Sequence, residues 1–370
     1  MKIETDSKSV MEALTKYRRE NEDSGYILNK HGGLLAAAVE SLMGKRRHTT
    51  FKWVKGHSGH ERNEGADRMA SLGAEKETPD ELDLARAAEG SISGAKLLSM
   101  TQKLAYRAIR STRQREAQHR PSTEKTIREI RNDLATHAGS SPTNENIWKA
   151  MAKPYITKEC RRFLWRTVHA SYMLGRHWMR PNMAQHLQDR ATCKMCGSVE
   201  SMEHIILDCQ EVGSRVCWDL MQSLWSATGE PSPARTWGTV IGAPSIAISA
   251  EDGKRKHLVE KRWAILATET AYLIWKLRCE RVIQNEGKSF TAAEVENRWY
   301  ALIDGRLRND RETTRLSRGK RGKKALAEEE VRGIWEPLID GAEDLPTNWT
   351  TDVGVLVGIR RRAWSPTLRA

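Results

Sequence analysis

Two short stretches near the start of the chain carry strand-like patterning. "KIETD" at 2–6 reads as a short strand that ends in an acid, and "TTFKWV" at 49–54 alternates as a half-buried strand does. Between them, Val10, Met11, Leu14 and Tyr17 recur at helical spacing, with Asp6, Ser7 and Ser9 as candidate caps and Ser9 with Glu12 as a capping box. Leu34, Leu35, Ala38, Val39 and Leu42 mark a second helix. A glycine-rich loop follows the second strand, and then a helix from about Asn63 to Leu72. The order strand–helix–helix–strand–loop–helix is α/β in class.

Strand patterning then nearly vanishes. Residues 76–146 read as a charged helical connector that closes on "GSSPTNEN", a linker or helix cap. Residues 147–228 read as tryptophan-rich helices around a cysteine cluster. Residues 229–370 read as a helical C-terminal region with a basic run and a loop-like tail. Within it, Trp263, Ile265, Leu266, Thr270, Leu273, Ile274 and Leu277 form the apolar stripe of a long amphipathic helix at 251–284. Thirteen tryptophans against three phenylalanines assign most indoles to core and inter-helix packing.

At 370 residues the chain is long enough for two or three domains, and no apolar stretch is long enough to span a bilayer. The net charge of +13 makes nucleic acid the first candidate partner and an anionic membrane the second. "MKIETDSKSV" is not a signal peptide. The six cysteines are therefore expected in a reducing intracellular setting, nuclear or cytoplasmic, where thiols favour metal over disulfide.

Asp6 ends the first strand, and Asp67 lies in the helix after the second. Open α/β sheets put reactive groups at the carboxyl ends of their strands, so the two acids and the His57 loop converge if the strands are parallel neighbours. Converging carboxylates repel unless a divalent cation neutralises them. Oxygen-only ligands beside a phosphate favour Mg²⁺ or Mn²⁺, and two such ions suit phosphodiester hydrolysis.

"TDS" at 5–7 and "WVKGHSGHERNEGADRMA" at 53–70 resemble the C-terminal half of a type 1 ribonuclease H domain, of the kind carried by non-LTR retrotransposons and their fungal relatives. The resemblance implies an incomplete α/β ribonuclease H-like sheet over residues 1–75, and the patterning makes the remainder mostly α-helical with a small zinc site. It implies a hydrolase that cuts the RNA strand of an RNA–DNA hybrid with Mg²⁺. Asp6 and Asp67 would be metal-binding acids, His57 on a mobile loop would assist proton transfer and product release, and Glu64 would match an acid near the site. Two further family acids, on an earlier strand and helix, have no counterpart after Met1. Glu4 shares the strand face of Asp6 but lies about 7 Å deeper, too deep to replace them. The expectation is a half-built two-metal site, the chain being a fragment or a second chain supplying the rest.

"CKMCGSVESMEHIILDC" spaces Cys193, Cys196, His204 and Cys209 as C-x2-C-x7-H-x4-C. Two thiolates on one turn, a histidine and a third thiolate complete a tetrahedral Zn²⁺ site with no open position, hence structural. With "FLW" ahead of it, the segment resembles the zinc-binding region downstream of the reverse transcriptase in non-LTR elements. The alternative for CxxC is a redox pair or buried free thiols. Lys45, Arg46, Arg47 and Lys55 near the second strand, and Arg318, Lys320, Arg321, Lys323 and Lys324 in the densest basic run, are the candidate nucleic-acid contacts; Arg107, Arg110, Arg113 and Arg115 line one helix side. The rival to a nuclease is a zinc-stabilised binding protein without catalysis, or a gene remnant.

Overall fold

The computed structural model describes residues 1–44, 48–76, 78, 95–116, 120–317 and 326–362, with side chains of 114–116 left aside. Lys45, Arg46, Arg47, the Arg115 side chain, Arg318, Lys320, Arg321, Lys323 and Lys324 therefore lie outside the described residues. The chain divides into two compact units, Met1–Gln118 and His119–Ala370. The expected boundaries at 146 and 228 fall inside the second unit.

The first unit is built on two strands, β1 (Lys2–Thr5) and β2 (Thr50–Trp53). They pair in parallel with Lys2 opposite Thr50 and Thr5 opposite Trp53, and the Val54 amide extends the ladder to the Thr5 carbonyl at 2.9 Å. A parallel pair needs a crossover rather than a hairpin. Here the crossover is α1 (Lys8–Leu14), α2 (Arg18–Asp23) and α3 (Gly32–Met43). The expected single helix through Tyr17 is thus broken. Thr15 turns its hydroxyl onto the Met11 carbonyl at 2.7 Å, and Asn21 donates to the Ala13 carbonyl at 3.2 Å, so side chains take over carbonyls that the helix would have used. Ser7, not Ser9, caps α1, accepting from the Val10 amide, and the Ser9–Glu12 capping box does not form. Among the described residues, helices α4 (Glu61–Ala74) and α5 (Gln102–Glu116) follow in this unit. Its core is thin: among the described residues of this unit, only Val39, Val54 and Leu104 are buried hydrophobics.

The second unit is helical and densely packed. It comprises α6 (Pro121–Ala138), α7 (Asn144–Met151), α8 (Lys158–Val168), α9 (Gln185–Gln188), α10 (Val212–Ser226), α11 (Trp237–Ile241), α12 (His257–Ile283), α13 (Ala292–Ser317) and α14 (Glu328–Trp335). One hydrophobic cluster runs from Ile127 to Ile359 and contains the fully buried Trp225, Trp299, Trp335 and Trp349. Trp349 and the Ile339–Ile359 bridge pack the irregular tail into this core. Trp53 and Trp165 are exceptions among the indoles, each about half exposed.

Helix α12 is the axis of this unit, and it is not amphipathic as expected. Its buried positions include Glu260, Arg262, Glu269 and Arg281 besides the apolar stripe, so neighbours cover every side. Glu260, Arg262 and Glu269 are admitted because they have partners, Glu260 pairing with Arg255 at 2.8 Å. Arg262 donates to the carbonyls of Gly333 and Ile334 at 2.8 and 2.9 Å. Glu269 and Asp310 flank Arg306 at 3.2 and 3.0 Å, while Arg306 also donates to the Tyr155 carbonyl at 2.7 Å. Thr157 donates to Glu269, and the Trp335 indole donates to Asp310. Close approach between α6 and α11 requires glycine: a Cβ on Gly238 would stand 2.3 Å from Asp133 Cβ.

Removing one member of a buried charge network strands the others. Arg306→Met should cost about 3–5 kcal/mol in the urea unfolding of the full chain, followed by tryptophan fluorescence. Arg315→Met, which breaks an exposed pair with Glu312, should leave the midpoint nearly unchanged.

Candidate functional site

The parallel register brings two chain exits to one edge of the sheet. Asp6 leaves β1 there, and the loop Lys55–His60 leaves β2. The Trp53 indole donates to the Asp6 carbonyl at 2.9 Å and fixes the first exit. The Asp6 carboxylate lies against Gly56, where an added Cβ would stand 2.7 Å from Oδ2. Helix α4 returns to the same edge. Asn63, buried near its start, donates to Asp6 Oδ2 at 3.2 Å.

Asp67 lies one turn beyond Asn63 on the same helix face, where side chains four apart are neighbours. Asp67 Oδ2 is inaccessible to solvent and has no hydrogen-bond partner; His57 Nδ1 stands 3.8 Å from it. His57 is otherwise almost wholly exposed and is held at φ +51°, a left-handed conformation uncommon for a residue with a Cβ. Gly59 at φ +80° makes the second such bend in this loop. Asp6 is thus tied to the first turn of α4, and His57 faces Asp67 one turn further along the same helix.

The other candidates near this edge are placed differently. Glu64 accepts from the Gly59 amide at 2.9 Å, so its carboxylate fastens the loop. Glu4 pairs with Lys2 at 3.0 Å and with His60 at 3.2 Å, and Lys2 in front of it holds its carboxyl below the usual range. Lys55 is exposed, with no carboxylate partner among the described residues. Sequence reasoning missed Asn63 and Trp53 as the groups that orient Asp6. The four-residue step from Asn63 to Asp67 was the available signal for the first.

As a cation site, this edge offers oxygen donors only, and the orphaned Asp67 oxygen is the kind of atom a cation would satisfy. Among the described residues, however, three or more ligating groups converge only at the cysteine cluster. Asp6, His57 and Asp67 are not grouped in this way.

That cluster lies in the second unit. Thr192 and Val199 form an antiparallel bridge, and the Cys193 amide donates to the Ser198 carbonyl at 2.8 Å. Gly197 at φ +72° closes the turn between them. Residues His204–Asp208 form a π-helical turn, and the Cys209 amide donates back to the His204 carbonyl at 2.8 Å. Such a turn takes one residue more than an α-turn, which sets Cys209 beside the histidine. Cys193 Sγ and Cys209 Sγ are 3.7 Å apart, and Cys196 Sγ lies 3.4 Å from His204 Nε2. All four ligating atoms lie within 4.8 Å of one another. A tetrahedral ion with Zn–S bonds of about 2.3 Å sets its sulfurs roughly 3.8 Å apart, so the cluster has the dimensions of a zinc site. Burial pushes Cys209 up to about 12, whereas the Ser198 amide holds Cys196 below its usual range. Beside Cys209, the buried Glu200 carboxylate pairs with Arg278 of α12, an anchor that the sequence pattern does not reveal. Cys160 and Cys217 are fully buried apolar thiols away from the cluster's ligand set, and Cys279 is partly covered.

Residues 1–75 match the RNase H family. Among curated relatives, the Ribonuclease H of Rhizobium meliloti (strain 1021) is 37% identical over 78 residues, which are 20% of this chain and 50% of the relative. That of Mesorhizobium japonicum is 38% identical over 79 residues, 20% of this chain and 43% of the relative. That of Saccharopolyspora erythraea is 30% identical over 80 residues, 20% of this chain and 52% of the relative. The chain thus spans about half the length of the curated relatives it matches. No solved structure matches it.

Two measurements check these geometries. Co²⁺ added to the reduced chain should give one equivalent of tetrahedral thiolate absorption, lost in Cys193→Ser and Cys209→Ser. Gly56→Ala should push the Asp6 carboxylate off its position and weaken Mn²⁺ binding in titration calorimetry, with the fold retained by circular dichroism.

Proposed function

We propose that this protein is a ribonuclease H-type hydrolase acting on the RNA strand of RNA–DNA hybrids, with Asp6 and Asp67 as its metal-holding acids. The observation that supports this reading is that Asp6 bonds Asn63 and His57 faces Asp67 on one helix, beside the carboxyl ends of a parallel strand pair and within the stretch that matches the family. Mg²⁺ or Mn²⁺, when bound, supplies charge neutralisation at the scissile phosphate and a more acidic water. The chain's own residues do the rest. Asn63 and Trp53 hold Asp6, and Asp67 keeps one oxygen free of competing donors. His57, exposed on its bent loop, moves a proton at Nδ1 or Nε2 near the leaving group.

Two carboxylates are fewer than two divalent ions need. In this reading the remaining acids come from residues outside 1–75 or from a second chain. The thin core and the short two-stranded sheet of the first unit support that division, since a sheet of this size is marginal alone. The Cys3His cluster is read as a structural Zn²⁺ site of the reverse-transcriptase-associated kind, and a retroelement origin follows from that likeness. Among the described residues, no helix is long and apolar enough to cross a membrane.

A second reading, a zinc-stabilised nucleic-acid-binding protein without catalysis, is favoured by the missing third acid. Incubation of the purified chain with a labelled RNA–DNA hybrid and Mg²⁺ separates the two. Cleavage of the RNA strand, abolished by Asp67→Asn and by Asp6→Asn, is the outcome the nuclease reading expects. Tight binding with the strand intact, unchanged when a polypeptide carrying the earlier strands and helix of a ribonuclease H domain is added, would overturn it.

A further inference from the structure

Helix α5 lies beyond the stretch that matches the RNase H family and has no part in the acid pair. Its start is fixed within the first unit. Thr101 accepts from the Leu104 amide at 3.1 Å, and just ahead the Lys96 amide donates to the Asp23 carbonyl at 2.9 Å while its ammonium pairs with Asp23. Leu104 is 2% exposed, so one flank of the helix is packed on protein.

The opposite flank is cationic. Lys103, Arg107, Arg110 and Arg113 are all exposed and fall within about 120° of the helix circumference over about 15 Å of axis. Among the described residues, none of the four has a carboxylate partner, and this face carries no acid between 103 and 113. That is unlike α13, where Arg298, Arg306 and Arg315 are each tied to glutamate or aspartate and Arg311 to three carbonyls. Four like charges on one face of a short helix repel one another, and a polyanion relieves that repulsion. Tyr106 is 64% exposed among them and presents a ring at the same level.

We propose that this face of α5 binds the phosphate backbone of nucleic acid, with Lys103, Arg107, Arg110 and Arg113 each meeting a phosphate and Tyr106 lying against a sugar or base. The inference rests on the reading that the partner is nucleic acid, and is independent of which acids cleave it. The reach of the four cations corresponds to roughly four or five base pairs of rise. A duplex presents charge at that density, and backbone contact of this kind carries no sequence preference. An anionic membrane fits less well, because a surface-lying helix needs its apolar flank free, and Leu104 is buried.

The test uses the full chain and a short fluorescein-labelled hybrid of DNA with 2′-O-methyl RNA, which binds but is not cut. Fluorescence anisotropy across a range of salt gives the affinity and its salt slope. Replacing all four residues by glutamine should weaken binding about tenfold or more and lower the slope by roughly 3 to 4, at about 0.9 per lost phosphate contact. Exchanging each arginine for lysine should keep most of the slope. Circular dichroism of both variants checks that the helix persists. An unchanged affinity and slope in the glutamine variant would sink the proposal. So would a wild-type chain that ignores the hybrid and binds phosphatidylserine vesicles, with Leu97 and Leu98 as the exposed apolar pair ahead of the helix. Failure of the acid-pair reading shows elsewhere, as a cleavable hybrid left intact at saturating concentration while the anisotropy result stands.

Discussion

The parallel pairing of β1 with β2 is the constraint on which the first unit depends. Because Thr5 lies opposite Trp53, both strands end at the same edge, and the residues that follow them must share one space. Asp6 follows one strand and the glycine loop follows the other. A slip of one residue would send Asp6 to the other face of the sheet, since side chains alternate with a period of two. The register is held by more than ladder hydrogen bonds. The Trp53 indole ties the two exits together across 47 residues of sequence, and Asn63 adds the third element by bonding the Asp6 carboxylate. The glycine at 56 is the complement of this arrangement, because the carboxylate occupies the volume that a Cβ would need.

What could be read from the sequence follows the same physics. Both strands were legible because alternation over four residues is a local property of the side chains. The loop and α4 were legible because glycines at a strand exit and an asparagine-glutamate start to a helix are local too. The break after Leu14 was not, since it turns on Thr15 and Asn21 capturing carbonyls that an uninterrupted helix would use just as well. The cap at Ser7 rather than Ser9 is the same kind of choice, made by where β1 ends. The long helix α12 shows a different limit. Arg262 and Glu269 look like part of a solvent face until their partners arrive from residues far along the chain. A pattern argument sees the charge and not its counter-charge.

The site residues divide along that line as well. His57 and Asp67 are ten residues apart and meet within one loop-helix unit, so their proximity is nearly local. Asp6 joins them only through the crossover, and its neighbours Asn63 and Gly56 gain their roles from that long-range step. Glu64 is the instructive case: the family resemblance implies an acid near the site, and in the structure its carboxylate accepts the Gly59 amide in the loop that carries His57.

The two groups of ligating side chains in this chain differ in a way that bears on what each can do. At the cysteine cluster four donor atoms lie within 4.8 Å of one another, and nothing beyond them is needed to fill a tetrahedron. Closed coordination leaves no position for a reacting water, so an ion there would hold the bridge at Thr192–Val199 against the π-turn at His204 and contribute to folding. The Asp6–Asp67 edge is the reverse. It has two donors, one of them with an oxygen that no protein group satisfies, beside a histidine exposed to solvent. Hard divalent cations take six or more oxygens, so most of the shell at that edge must come from outside the pair: water, phosphate, and further acids. If an ion is held at that edge, its incomplete protein coordination would leave room for a reacting water and would make the edge dependent on the groups that complete it.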